Sequence, residues 1–124
     1  MTEPAQNPEH SSAEDFFRTE IRAGRVVKTE VNAKAHVPAY KLWIDFGEHG
    51  VKQSSAQITA CYSAEELVGR MVVAVTNFPP RRIAGFKSEV LVLGVPVEGT
   101  DGESTDEVVL LAPDADVPLG ARVS

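Results

Sequence analysis

The residues best suited to bind another molecule lie in one short segment, residues 78–87, which reads FPPRRIAGFK. Two prolines stiffen the start of this segment. Its cations are Arg81, Arg82 and Lys87, and its apolar side chains are Phe78, Ile83 and Phe86. Arginine pairs with phosphate through two hydrogen bonds and stacks on bases, so the mixture suits a nucleic acid. It suits an extended polypeptide equally well. The segment therefore predicts an exposed binding loop for either RNA or unfolded polypeptide.

A structural role is the alternative for part of this segment. Ile83 and Phe86 could anchor the loop to the protein while the cations are merely solvated. We expect Phe86 to be such an anchor, but solubility alone explains two adjacent arginines after two prolines poorly. Polar residues around the segment add candidate sugar and phosphate contacts. These are Asn77 and Ser88 at predicted strand ends, Lys34 and Lys41 as flanking cations, and the row Ser54, Ser55 and Gln57, which is predicted to face solvent or a partner.

Residues that could catalyse a reaction or bind a metal are not grouped in this sequence. It contains no CxxC, HExxH or GxSxG motif and no glycine-rich phosphate loop. The histidines, His10, His36 and His49, lack the spacing of metal ligands, and the lone Cys61 is interpreted as a small buried residue. We therefore expect a protein that is not an enzyme, with no catalytic residue, metal or cofactor.

Strand patterns surround the binding segment and must position it. Residues 40–47 alternate strictly, with Leu42, Ile44 and Phe46 on one face, as in a half-buried strand. A capping box at residues 63–66 predicts a short helix over 64–68. Further strands are predicted over 21–31 (with a bulge or sharp coil at Gly24), 51–59, 71–76, 89–95 and 108–111, and a helix over 13–19. The order of strand, strand, strand, short helix, strand, strand is typical of the all-β OB-fold, a five-stranded Greek-key barrel.

Charge and length indicate how the chain is organised. Residues 1–11 are predicted to be a flexible acidic tail, and 12–124 a single domain with N- and C-terminal extensions. Residues 16–96 hold eleven of the twelve Lys and Arg against seven acids, although the net charge is −6. This basic middle keeps a polyanion among the possible ligands. No stretch resembles a signal peptide or a membrane span, and one cysteine fits a reducing compartment, so we expect a cytoplasmic protein without membrane insertion.

Four stretches carry a resemblance to a known family: IRAGRVVKTEV, HVPAYKLWIDFG, SSAQIT and EELVGRMVVAVTNFPPRRIAGFKSEVLVLG. Over residues 16–95 they resemble the tRNA-binding OB domain of methionyl-tRNA synthetase C-termini, endothelial monocyte-activating polypeptide and free-standing bacterial tRNA-binding proteins. Three departures are similar to the CsaA group of chaperone-like, export-related proteins. They are the residue inserted between His36 and Pro38, Tyr40 in place of Asp, and Val90-Leu91 in place of Gly-Met.

The resemblance assigns roles to particular residues. Positions that match the tRNA-binding pattern are Arg22, Lys41, Asn77, Arg81, Arg82, Lys87, Ser88 and Glu89. Likeness to CsaA implies a homodimer built partly from the chain termini, with unfolded or export-bound polypeptides and a secretion component as partners. The predicted peptide contacts are Trp43, Phe78, Ile83 and Phe86. Phe16 and Phe17, an apolar pair in a polar segment, are candidates for the dimer interface, with packing on their own barrel as the alternative.

Overall fold

Residues 9–35, 37–98 and 107–124 are described by a computed structural model of the chain. The elements begin with helix α1 (Ala13–Arg18) and strand β1 (Ile21–Val31). They continue with β2 (Tyr40–Asp45), β3 (Val51–Ala56), α2 (Ala64–Leu67), β4 (Met71–Val75), β5 (Arg81–Ile83), β6 (Phe86–Ser88), β7 (Leu91–Val92), β8 (Gly94–Val97) and β9 (Glu107–Leu110). Residues 1–8 of the predicted tail, His36, and the acidic stretch 99–106 lie outside the described residues.

Five strands form an antiparallel sheet in the order β3-β2-β1-β4-β7. The sheet curls into a nearly closed barrel because β3, at one edge, meets the chain that follows β6: the Glu89 amide donates to the Gln53 carbonyl at 2.8 Å. Helix α2 lies between β3 and β4 in sequence, and the capping box at Ser63 and Glu66 is formed. The predicted OB-fold barrel is confirmed.

The barrel core follows from the alternation in β2. Leu42, Ile44 and Phe46 are fully buried, whereas the residues between them are half-buried on the outer face. Opposite this row lies Gly24 in β1, where an added Cβ would be 2.6 Å from Ile44 Cγ2 and 2.7 Å from Phe46 Cε1. The glycine is therefore required by close packing. The bulge predicted at this position occurs instead between Val26 and Lys28.

Replacing Gly24 by alanine should destabilise the barrel. The new methyl group overpacks against Ile44 and Phe46, and such overpacking usually costs about 1–3 kcal/mol. We expect a lower urea midpoint with an unchanged m-value. Gly50→Ala is the comparison: its Cβ would meet nothing within 4 Å, so its loss measures backbone strain at φ 86° and ψ −179° without any new contact. Equal midpoints for Gly24→Ala and the wild type would contradict the packing argument.

Helix α1 and the C-terminal residues meet beside the start of β1, where Arg122 donates to Phe17 O. Ser12 caps α1: its hydroxyl accepts a hydrogen bond from the Asp15 amide. The Asp15 carboxyl accepts a hydrogen bond from Arg18, which lowers its pKa, and hydrogen bonds with Ser12 lower it further. At the other end, the Ala23 amide donates to Ala121 O at 2.9 Å and the Val123 amide to Ile21 O at 2.8 Å. The C-terminal residues thus run beside β1.

The segment at residues 78–87 is not the loop that its prolines predict. Its second half forms a β-hairpin, with Ala84 (φ 50°) and Gly85 (φ 81°) in the two-residue turn between β5 and β6. This turn needs positive φ at both positions. Glycine is a sequence signal for such a turn, whereas alanine is not, so only Gly85 could have indicated it. The strand predicted over 89–95 is also divided: β7 pairs with β4, whereas β8 pairs with β9 as a second hairpin.

Candidate binding surface around the β5–β6 hairpin

The hairpin presents different chemistry on its two faces. Cross-strand partners share a face, so Ile83 and Phe86 lie on one face, together with Arg81 and Ser88. That face contacts the barrel, because the Ser88 hydroxyl accepts the Ser55 amide at 3.0 Å and Phe86 contacts Trp43. Arg82 and Lys87 are paired on the opposite face, and both are exposed. Of the three predicted cations, the structure therefore brings Arg82 and Lys87 together on the solvent side.

The barrel closes along a seam between β3 and residues 87–90. Most hydrogen bonds across this seam involve a side chain instead of two main-chain groups. Glu89 Oε1 accepts the Gln53 amide at 3.1 Å, and the Gln53 side chain donates to Lys87 O at 2.9 Å. Ser54 donates to Val90 O at 2.9 Å. The prediction that Ser54 faces solvent or a partner is wrong: it is 1% exposed because it lies at this seam and bonds to Val90 of its own chain. Ser88 and Glu89 hold the barrel together, and their contact with RNA stays a prediction.

Arg22 and Asn77 form a separate group at the attachment of the chain ends. Asn77 accepts the Glu20 amide at 2.9 Å and donates to Arg18 O at 2.7 Å, which fixes the end of α1 to the end of β4. Arg22 donates to Gly120 O at 2.9 Å and pairs with Glu20 at 3.1 Å, with its side chain 15% exposed. Except for Arg22 Nε, which is buried without a hydrogen-bond partner in the described part of the chain, these side-chain polar groups bond within the protein. A role in tRNA binding remains a prediction for both residues.

Phe16 and Phe17 lie on α1 near these attachments. Their rings meet edge to face, 5.2 Å apart, and both side chains are exposed. The alternative considered from the sequence was that both rings pack on their own barrel. Neither ring is buried in that way, since Phe17 is 53% exposed. An apolar pair is thus presented to solvent at the N-terminal end of the described chain.

Aromatic and basic side chains meet on the outer face of β1 and β2, where β6 crosses. The Trp43 and Phe86 rings are 5.6 Å apart at an interplanar angle of 77°. Lys41 Nζ lies 5.3 Å from the centre of the Phe86 ring, and Lys28 Nζ lies 4.7 Å from that of Trp43. The predicted residues Lys41, Trp43 and Phe86 are therefore brought together. Lys28 was missed, because only the bulge after Val26 turns it to this face and no sequence signal marks that bulge.

Three apolar clefts share Ile83. The first, of about 170 Å³, is lined mainly by Phe78, Pro79, Arg81, Ile83 and Leu91. The second, of about 280 Å³, lies between the end of β3 and the β8–β9 hairpin and is lined by Ile58, Ile83, Leu91, Pro96, Val108 and Leu110, among others. The third, of about 320 Å³, is lined by Lys34, Ala35, Val37, Ala39, Gln57, Ile83 and Ala84. Ile83 and Phe78 thus line clefts, and their contact with polypeptide stays a prediction. The lining by Leu91, Pro96 and Val108 was not predicted, because their grouping depends on the second hairpin.

The sequence itself matches a known family over nearly its whole length. A profile for the family described as "Putative tRNA binding domain" matches residues 21–122. The chain belongs to this family. The crystal structure of the chaperone CsaA from Bacillus anthracis matches this tRNA-binding domain with a TM-score of 0.82 and 50% identity, covering 93% of this chain and 99% of that one. For the CsaA chaperone protein of Picrophilus torridus the values are 0.81 and 42%, with 93% and 100% covered.

Methionine–tRNA ligases contain a similar segment. The ligase of Archaeoglobus fulgidus is 35% identical over 121 residues, which are 98% of this chain but 17% of the ligase. This tRNA-binding domain therefore spans about a sixth of that relative. The resemblance inferred from the sequence, to both the synthetase C-terminal domain and the CsaA group, is confirmed.

The described residues of the tRNA-binding domain contain no cluster of three or more His, Cys, Asp or Glu that could hold a metal ion. Within the same residues no helix is long and apolar enough to cross a membrane. Cys61 is half-buried, less than the sequence interpretation expected. The geometry of this surface is suited to binding: apolar clefts lie on one side of the hairpin, and two exposed cations lie on the other.

Proposed function

We propose that this protein is a non-catalytic binding protein of the CsaA type, which holds segments of unfolded polypeptide in the clefts around Ile83. The observation that carries the proposal is the meeting of three apolar clefts at one side chain. An extended chain points successive side chains to opposite sides, so neighbouring clefts can receive alternate side chains of one segment.

The energetics of these clefts suit a transient complex. Full burial of one Leu or Phe side chain contributes about 1.5–3 kcal/mol, and shallow clefts realise only part of it. Phe78 and Leu91 stand half-exposed at the rim, and a bound segment would cover them. The likeness to CsaA chaperones supports the same ligand. We propose that the clients are export-bound polypeptides in the cytoplasm. A secretion component is a further proposed partner.

Suppression of the aggregation of a chemically unfolded client tests the proposal. The purified protein, at one dimer per client chain, should slow the rise of light scattering after dilution from denaturant. No effect at this ratio would contradict polypeptide binding.

We also propose that the protein is a homodimer, with Phe16 and Phe17 in the interface. Their exposed ring pair is the support, and the outer face of the β8–β9 hairpin, where Val95 and Val109 are paired and exposed, offers further apolar surface. Light scattering should give twice the chain mass of 13.4 kDa for the wild type. Phe16→Ser with Phe17→Ser should shift the mass toward one chain, whereas Phe78→Ser should not. A wild type of single-chain mass would rule out the dimer, and a dimeric double variant would place the interface elsewhere.

RNA is the second candidate ligand. Arg82 and Lys87 are paired on the solvent face of the hairpin, away from the polypeptide clefts, and both are exposed. Lys41 lies next to the hairpin at Phe86, and Lys34 lines a cleft that reaches its turn. The match to the tRNA-binding family supports this candidate, since such a surface can bind the phosphates of a structured RNA.

A further inference from the structure

Trp43 is the one tryptophan of the chain, and it lies on the outer face of β2 rather than in the core. Two lysines and one phenylalanine surround it: Lys28 is over its ring, Phe86 is against it, and Lys41 is over Phe86. The two rings are therefore covered in part by the long, flexible side chains of Lys28 and Lys41. The Lys28 side chain is 59% exposed.

The position of Lys28 depends on the local backbone. Val26 points into the core opposite Ile44, and a regular strand would turn Val27 outward and Lys28 inward. The bulge adds one residue, so that Lys28 pairs with Trp43 and faces outward. A cation is thus placed beside a half-buried indole on the outer face of the barrel. Polar Gln53 continues the same row on β3.

We propose that Trp43 and Phe86 stack unpaired bases of a single-stranded nucleic acid, while Lys28 and Lys41 bind the adjoining phosphates. A nucleotide presents an aromatic base next to an anion, which is the complement of rings flanked by ammonium groups. Stacking a base on a ring is stronger than an exposed cation–ring contact, so a base can replace the lysine, whose ammonium then moves to the phosphate. The inference rests on the RNA candidate and specifies unpaired nucleotides as the part bound at this face.

Two carboxylates share this face, and a phosphate that binds Lys28 has to displace one of them, Glu30, which is also the cross-strand neighbour of Lys41. Glu30 pairs with Lys28 at 3.1 Å, and Asp45 accepts the Gly47 amide at 2.8 Å. Both lysines that contact the rings can swing toward a phosphate, and Arg82 and Lys87 extend the positive charge along the hairpin. An acidic peptide is the other ligand that lysines would attract, but it would bring no base to stack.

The fluorescence of Trp43 reports directly on this site. Single-stranded oligonucleotides of about ten residues, oligo(U) and oligo(dT), should quench it in a saturable way. Inorganic polyphosphate and poly-glutamate, which supply charge without bases, should leave it nearly unchanged. Oligonucleotide binding seen by anisotropy of an end label without quenching of Trp43 would overturn the inference. Equal quenching by polyphosphate or poly-glutamate would do so as well.

Variants separate this site from the hairpin cations. Trp43→Leu, which keeps an apolar side chain, should weaken oligonucleotide binding about tenfold, as should Phe86→Leu, in which the tryptophan remains as reporter. Phe78→Leu, in a polypeptide cleft, is the matched control and should bind as the wild type does. If charge reversal at Arg82 and Lys87 removes binding but Trp43→Leu does not, RNA binding stands and base stacking fails. If the wild type binds no oligonucleotide and no tRNA at low salt, both proposals fail together.

Discussion

Ile83→Asp is expected to lose most of its ability to keep an unfolded client from aggregating. Ile83 borders all three clefts, so one carboxylate places a charge at the edge of each. The lost apolar burial, about 1.5–3 kcal/mol, and the cost of desolvating the charge together predict binding weaker by roughly 10- to 100-fold. The measurement is the Kd for a labelled unfolded polypeptide, with light scattering of the aggregating client as a second readout.

Two further variants make this result interpretable. Ile83→Ala keeps the β5–β6 pairing and removes only apolar surface, so it should give a smaller loss in the same direction. Val68→Asp introduces the same charge at an exposed valine that lines none of the three clefts, and it should behave as the wild type. Client binding that is unchanged in Ile83→Asp, or equally reduced in Val68→Asp, would contradict the assignment of the clefts.

Arg82→Glu combined with Lys87→Glu should reduce tRNA affinity by about 100-fold or more at low salt. Each cation that neutralises a phosphate adds roughly 0.9 to the slope of log affinity against log salt, so the slope should fall by about two. Reversing the charges also adds repulsion on the face where the two side chains are paired. Filter binding across a salt series measures both quantities.

The control for this variant must match its net charge. Arg18→Glu with Arg70→Glu also takes the formal charge from −6 to −10 and uses two exposed arginines outside the hairpin. It should leave the salt slope close to that of the wild type. If both double variants lose affinity equally, the attraction comes from total charge and not from the hairpin. Client protection should persist in the hairpin variant, because its two cations face away from the clefts.

Most of the barrel could be predicted because its signals are local. The alternation of Leu42, Ile44 and Phe46 specifies one buried face, and Ser63 and Glu66 specify the start of α2 through bonds only three residues apart. The β5–β6 hairpin was missed because Ala84 adopts positive φ without a sequence signal for it. Ser54 was misplaced because its burial depends on Val90, which is 36 residues away.

The residue types of the candidate site were predictable, but their partners were not. The cations and aromatic residues of 78–87 indicated a segment with exposed charges next to apolar surface, and the structure has both there. All three cations are exposed, and which of them share a face follows from the hairpin register, which places Arg82 and Lys87 on one face and Arg81 on the other. Ser88, Glu89 and Asn77 match a family pattern, yet each bonds to the barrel or the chain ends through contacts that no spacing reveals.

The seam of the barrel has a consequence for the range of sequences that the clefts can accept. Rotamer changes in Ser54, Ser88 and Glu89 would alter the spacing there, whereas main-chain pairing holds β1 to β2 and β4 on its two sides. Two clefts border this line, since both are lined by Ser55 and Leu91. If these clefts hold polypeptide as proposed, we expect their width to adjust to side chains of different size without unfolding a strand. Such tolerance is what a receptor needs when its ligands share apolarity but no common sequence.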